Sequence, residues 1–179
     1  MKRILTIAAL LLTSALISAQ EKKTYRDNVP HFYFATEFNF SGADYKKFGK
    51  PDFGTLGMTV SPGYRFDESW AVFVPIGADV VLMNRQSTRN YVEQGTLGLG
   101  ASYQLNMKDH MALMFVLSGG STYIRSDLNY FKAKASVNLG LHGIGASPYV
   151  GFGCSYLKPY QNAMKDKVMF EATIGFHLF

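Results

Sequence analysis

The sequence predicts an all-β fold, an eight-stranded antiparallel up-and-down barrel that crosses a membrane. Apolar residues alternate with polar or small ones in segment after segment of ten or more residues, the length a tilted strand needs to span a bilayer. Beyond the N-terminus no apolar run is long enough for a membrane helix, although 47% of the chain is hydrophobic and 15% aromatic. The last segment, Val168 to Phe179, is the clearest. Val168, Phe170, Ala172, Ile174, Phe176 and Leu178 form one face, and Met169, Glu171, Thr173, Gly175 and His177 the other. A terminal strand of this kind would leave an open edge unless it paired with the first strand, so closure is expected.

The N-terminus reads as an export signal. Met1-Lys2-Arg3 precedes an apolar run from Ile4 to Leu16 and a small-residue end at Ile17-Ser18-Ala19, which predicts cleavage of residues 1–19. Removing them leaves 16 basic against 13 acidic residues, a net charge of +3, too mild to suggest nucleic acid as a partner. Cys154 is the only cysteine, so no intramolecular disulfide can form. Residues 20–30 are polar and aperiodic and are expected to be a flexible tail, leaving 31–179 as a single barrel domain.

The strands then follow in order. The first, His31 to Phe40, sets Phe32, Phe34, Phe38 and Phe40 against Tyr33, Ala35, Glu37 and Asn39, and Ser41 to Asp52 is expected to be a loop. The second runs from Phe53 to Phe66, with Leu56, Met58, Val60 and Tyr64 on one face. Asp67-Glu68-Ser69 turns the chain into the third, Trp70 to Met83. There Pro75 removes a ladder donor and is expected to mark a bulge. After a loop over Asn84 to Asn90, the fourth places Leu97, Leu99, Ala101, Tyr103 and Leu105 opposite Gln94, Thr96, Gly98, Gly100, Ser102 and Gln104. Asn106 to Asp109 is a tight turn into the fifth, His110 to Arg125, whose alternation is weakest. The sixth sets Phe131, Ala133, Ala135, Val137, Leu139 and Leu141 against Lys132, Lys134, Ser136, Asn138, Gly140 and His142. Gly143 to Gly145 leads to the seventh, where Val150, Phe152, Cys154 and Tyr156 oppose Tyr149, Gly151, Gly153, Ser155 and Leu157. Lys158 to Lys167 is expected to be the last loop.

The export signal, the strand count, long odd-numbered connections alternating with short even-numbered ones, and the terminal Phe179 make the chain resemble the small eight-stranded outer-membrane barrels of the OmpA and OmpX kind. The resemblance covers His31 to Phe179 and is one of architecture. In one departure, Phe179 shares parity with Thr173, Gly175 and His177 and not with the apolar set. It implies a bacterial outer-membrane location, both termini on the periplasmic side, insertion by the barrel-assembly machinery, and a monomer in contact with outer-membrane lipid. In that orientation Phe32, Tyr64, Phe66, Trp70, Tyr103 and Phe176 form an aromatic belt at the inner ends, and Phe40, Tyr91, Tyr123, Phe131, Tyr156 and Phe170 one at the outer ends.

The polar face predicts what fills the lumen. Ten of the 17 glycines fall in it, which points to crowding or bending there. Eight strands enclose a space that side chains fill. Glu37, Asp79, Lys132, Lys134 and Glu171 lie inward in the outer half and are expected to form one ion-pair network that plugs it. His31, Arg65, His110, His142 and His177 are expected to gather at the inner mouth. The four histidines fall as two pairs on opposite walls, poor geometry for one tetrahedral metal, so no metal or cofactor is expected. The outer loops carry an excess of basic residues, among them Lys46, Lys47, Lys50, Arg85, Arg89, Lys158 and Lys167, which could meet lipopolysaccharide phosphates.

These features favour a non-enzymatic outer-membrane protein with a structural or surface-interaction role. An enzyme acting on outer-leaflet lipid would need a nucleophile and base together at the outer end, whereas every histidine falls at the other end. A soluble periplasmic ligand-binding barrel would share the alternation but turn the apolar set inward.

Overall fold

In a computed structural model, residues 31–43, 53–84, 92–107, 111–123, 129–141, 146–160 and 166–178 are described. The expected signal peptide, tail and terminal Phe179 lie outside them. The described residues form β1 (His31–Ala43), β2 (Phe53–Arg65), β3 (Trp70–Phe73), β4 (Ile76–Asn84), β5 (Val92–Asn106), β6 (Met111–Tyr123), β7 (Tyr130–Leu141), β8 (Ala146–Pro159) and β9 (Lys167–Leu178). All pairings are antiparallel between staves adjacent in sequence, with β3 and β4 each pairing to both β2 and β5, and β1 pairs with both β2 and β9, so the sheet closes on itself. The last described residue, Leu178, stands opposite Phe34 of β1 and Ala146 of β8. Closure leaves no strand edge to be satisfied by anything but protein.

β3 and β4 together form one stave, interrupted at Val74-Pro75. The expected bulge is not at Pro75: Phe73 pairs with Gly63 and Ile76 with Val60, so the register with β2 is the same on both sides. Val74 donates to the Pro62 carbonyl at 2.9 Å, and the Pro75 carbonyl accepts from the Gly98 amide at 3.0 Å. Proline therefore costs the ladder its own missing N–H and inserts no residue. The register shift lies instead between Gly54 and Thr55, which pair with Met83 and Val81 and leave Leu82 as the extra residue near the outer end.

Two strands run further than the alternation suggests. Ser41, Gly42 and Ala43 remain in β1 because Thr55, Gly54 and Phe53 continue to pair with them. Lys158 and Pro159 likewise belong to β8, opposite Phe131 and Tyr130, and Lys167 opens β9 opposite Leu157. Small or charged residues read as loop when taken alone; the cross-strand partner decides. Even so, the connections 44–52, 85–91, 124–129 and 160–166 are longer than 66–69, 107–110 and 142–145, and the ends bearing them are called outer. At the inner end, the Asp67 carboxylate accepts from the amides of Ser69 and Trp70, each at 2.7 Å, while Phe66 N–H donates to the Trp70 carbonyl. Those two backbone bonds hold the Asp67 carboxyl below the usual carboxylate range.

The two faces are sorted as the parity requires. Phe32, Leu99, Phe152 and Phe170 point outward and are 72–78% exposed, with Ile76, Leu97, Phe115, Leu117, Val137, Val150 and Ile174 between them around the circumference. Gln94, Asn138, Glu171 and Thr173 point inward and are at most 2% exposed. A soluble barrel with the apolar set inside would show the reverse. Phe32 packs on Tyr64 with ring centroids 5.0 Å apart, Tyr64 on Phe66 at 5.4 Å, and Trp70 on Tyr103 at 5.0 Å, so the inner aromatic belt is built of packed groups that bridge neighbouring strands. At the outer ends Phe40, Tyr123, Phe131, Tyr156 and Phe170 are exposed; Tyr91 lies outside the described residues.

Candidate functional site: the filled lumen

The lumen is stacked in layers, and its glycines explain how large side chains fit. A Cβ at Gly63 would lie 2.5 Å from the Tyr33 ring, and Gly175 likewise yields to the Tyr149 ring. At both positions a bulky inward ring crosses the glycine, so crowding accounts for glycine there.

At the outer end Ala43, Val81, Tyr130, Leu157 and Met169 form a buried apolar cluster inside the barrel. Below it lie the charges. Lys132 pairs with Glu171 Oε1, and Lys134 Nζ reaches Glu171 Oε2 at 3.4 Å and Glu37 Oε2 at 3.3 Å. Neutral groups complete the layer. Asn39 Oδ1 accepts from Lys134 at 3.1 Å and from Thr173 at 2.9 Å, Ser155 donates to Glu171 at 3.0 Å, and the Tyr149 hydroxyl donates to Glu37 at 2.8 Å. Of the five lumen charges expected from the sequence, the structure brings Glu37, Lys132, Lys134 and Glu171 into one network. Asp79 is buried on the facing wall and makes no hydrogen bond or ion pair among the described residues. Asn39, Tyr149, Ser155 and Thr173 were missed as members, although their inward parity could have flagged them.

Toward the inner end comes an aromatic layer. Tyr33 clusters with Ala35 and Ala71 against Phe73, and His177 lies 4.7 Å from the Tyr149 ring and 5.8 Å from that of Tyr33. Arg65 stands over Tyr33 at 5.9 Å and donates to Gln104 Oε1 at 2.9 Å and to the Glu68 carbonyl at 3.2 Å. His177 and Arg65 thus share the inner end, and the His31 backbone pairs with Arg65. His110 and His142 lie outside the described residues, as does the side chain of His31. Among the described residues no three His, Cys, Asp or Glu side chains group closely enough to hold a metal ion.

Of the basic residues assigned to the outer loops, Lys46, Lys47, Lys50, Arg85 and Arg89 lie outside the described residues. Lys158 is exposed on β8. Lys167 is a correction: as the first residue of β9 it turns inward and is 1% exposed, because register and not charge sets its face.

A closed barrel with lipid-type side chains outside and hydrogen-bonded charges inside defines the class: a small transmembrane β-barrel of the outer-membrane type. Among solved structures, the chain is similar to Neisserial surface protein A, with 14% identity, a TM-score of 0.47, and 82% of this chain and 96% of that one covered. It is also similar to the outer membrane protein Ail of Yersinia pestis, solved in a phospholipid bilayer nanodisc, at 10% identity and a TM-score of 0.44 over 83% of this chain and 100% of that one. The N-terminal β-barrel domain of Pseudomonas aeruginosa OprF matches at 14% identity and a TM-score of 0.41 over 80% and 97% of the two chains. No family model and no curated protein matches the chain.

Proposed function

We propose that the protein is a non-enzymatic component of the bacterial outer membrane whose lumen is closed to ion flow and whose role is structural or exerted through its outer loops. The observation that carries this reading is the layered lumen. An apolar cluster at the outer end, the Lys132–Glu171–Lys134–Glu37 network and the Tyr33–Tyr149–His177 layer succeed one another along the lumen. Ions could pass only by breaking buried pairs, which costs several kcal/mol. In the same reading, Lys46, Lys47, Lys50, Arg85 and Arg89 meet lipopolysaccharide phosphates at the outer surface. The test is purified protein in planar bilayers: brief or no conductance supports the closed lumen, and a steady ohmic conductance overturns it. For the loops, neutralising Lys46, Lys47 and Lys50 together should weaken lipopolysaccharide binding; unaltered binding removes that contact.

A further inference from the structure

Between the charged network and the opposite wall lies a cavity of about 70 Å³, lined by Asp79, Thr59, Ser61, Thr96, Ser118 and Glu37 among others. One water needs roughly 10–15 Å³ on the same measure, so there is room for an ion with some of its hydration. Gly98 and Gly120, paired across β5 and β6, form part of its wall. A Cβ at Gly120 would lie 2.6 Å from the Leu97 carbonyl oxygen, so the wall is as thin as backbone allows.

The Asp79 carboxylate, 5% exposed, borders this cavity and makes no hydrogen bond or ion pair among the described residues. Three carboxylates, Glu37, Asp79 and Glu171, share the layer with two ammonium groups, and those are committed to Glu37 and Glu171. Among the described residues, Asp79 is the carboxylate of this layer left without an ion pair, in a buried setting where an isolated carboxylate is costly. Next to it, Thr59 and Thr96 flank Gly77 from either side, with Asp79 the next inward residue of β4. Ser61 and Ser118 add further hydroxyls. Oxygen donors of this kind suit hard cations, and a deficit of one charge beside two ammonium groups matches a monovalent ion, not a divalent one. A proton on Asp79 is the competing way to remove that charge, and it would make stability insensitive to the choice of cation.

We propose that this cavity binds one small monovalent cation, Na⁺ or K⁺, between the Asp79 carboxylate and the hydroxyls of Thr59 and Thr96. The site rests on the closed lumen proposed above, and its test reads stability instead of current, so that either reading can fail without the other. Urea unfolding of the detergent-folded barrel is followed by gel mobility at fixed pH and equal ionic strength in NaCl, KCl and N-methyl-D-glucamine chloride. The expected result is a midpoint that rises saturably with Na⁺ or K⁺ and not with the bulky organic cation, and an Asp79→Asn variant in which the three salts coincide. If Asp79→Asn does not fold, Thr96→Val and Thr59→Val serve, and each should raise the half-saturating cation concentration several-fold. Equal midpoints for the unsubstituted protein in all three salts overturn the proposal. So does a cation response that survives Asp79→Asn or is unmoved by both hydroxyl variants.

Discussion

Replacing Glu171 by Gln tests whether the lumen is as dry as its packing implies. Glu171 is 2% exposed, pairs with Lys132, reaches Lys134 at 3.4 Å and accepts from Ser155 at 3.0 Å. The amide keeps the shape and can still accept from Ser155, so what disappears is charge. Lys134 retains Glu37 at 3.3 Å, whereas Lys132 loses the one carboxylate with which it forms an ion pair among the described residues. Breaking a buried pair at one partner costs about 3–5 kcal/mol, and with one ammonium still compensated the lower end, about 3 kcal/mol, is expected. Urea unfolding in lipid vesicles measures it. Glu171→Leu combined with Lys132→Met should recover most of the loss, since an apolar pair of similar volume can replace a buried ion pair at little cost. A loss for Glu171→Gln of about 1 kcal/mol or less, the value of a solvated pair, would refute the reasoning and describe a water-filled lumen.

Two further outcomes follow from the outer face and the inner turn. Leu99 lies midway along β5 and is 72% exposed, so Leu99→Arg should destabilise the barrel in vesicles by about 2–4 kcal/mol, whereas the same change at Met107, beyond the inner end of the strand, should cost about 1 kcal/mol or less. Equal effects at the two depths would contradict the membrane-spanning placement. Asp67, held below the usual carboxylate range by the Trp70 and Ser69 amides, stabilises the folded state above its unfolded pKa, and that contribution is lost only as the pH falls through its depressed folded value. Asp67→Ala should therefore lower stability at neutral pH and converge with the unsubstituted protein in strong acid, as read from unfolding midpoints across pH; a constant difference at every pH would contradict the turn's role.

Strand number, closure and the two faces were legible in the sequence because a side-chain period of two fixes which residues share a wall, and lipid requires that every backbone group be paired. Strand ends were less legible. Ser41 to Ala43 and Lys158 to Pro159 have the composition of loops and remain in strands through their partners on β2 and β7. Pro75 pointed to an interruption of the ladder but to the wrong irregularity: the register runs through it, and the actual shift lies at the outer end, opposite Leu82 and beside Gly54. The charged network followed from parity alone for Glu37, Lys132, Lys134 and Glu171. Parity places Asp79 on the same face but cannot say how far around the wall it sits, which is why its isolation emerges only in three dimensions. The apolar cluster inside the outer end was also hidden, since Val81, Leu157 and Met169 break the rule that inward means polar.

Everything rests on which face meets the lipid, and β6 allows a direct measurement. With Cys154, itself exposed on the outer face, replaced by serine, single nitroxide labels at Phe115, Val116, Leu117 and Ser118 can be compared in lipid vesicles for collision with dissolved oxygen. The structure predicts high oxygen accessibility at Phe115 and Leu117 and low accessibility at Val116 and Ser118. The opposite phase, or no alternation along the four positions, would contradict it.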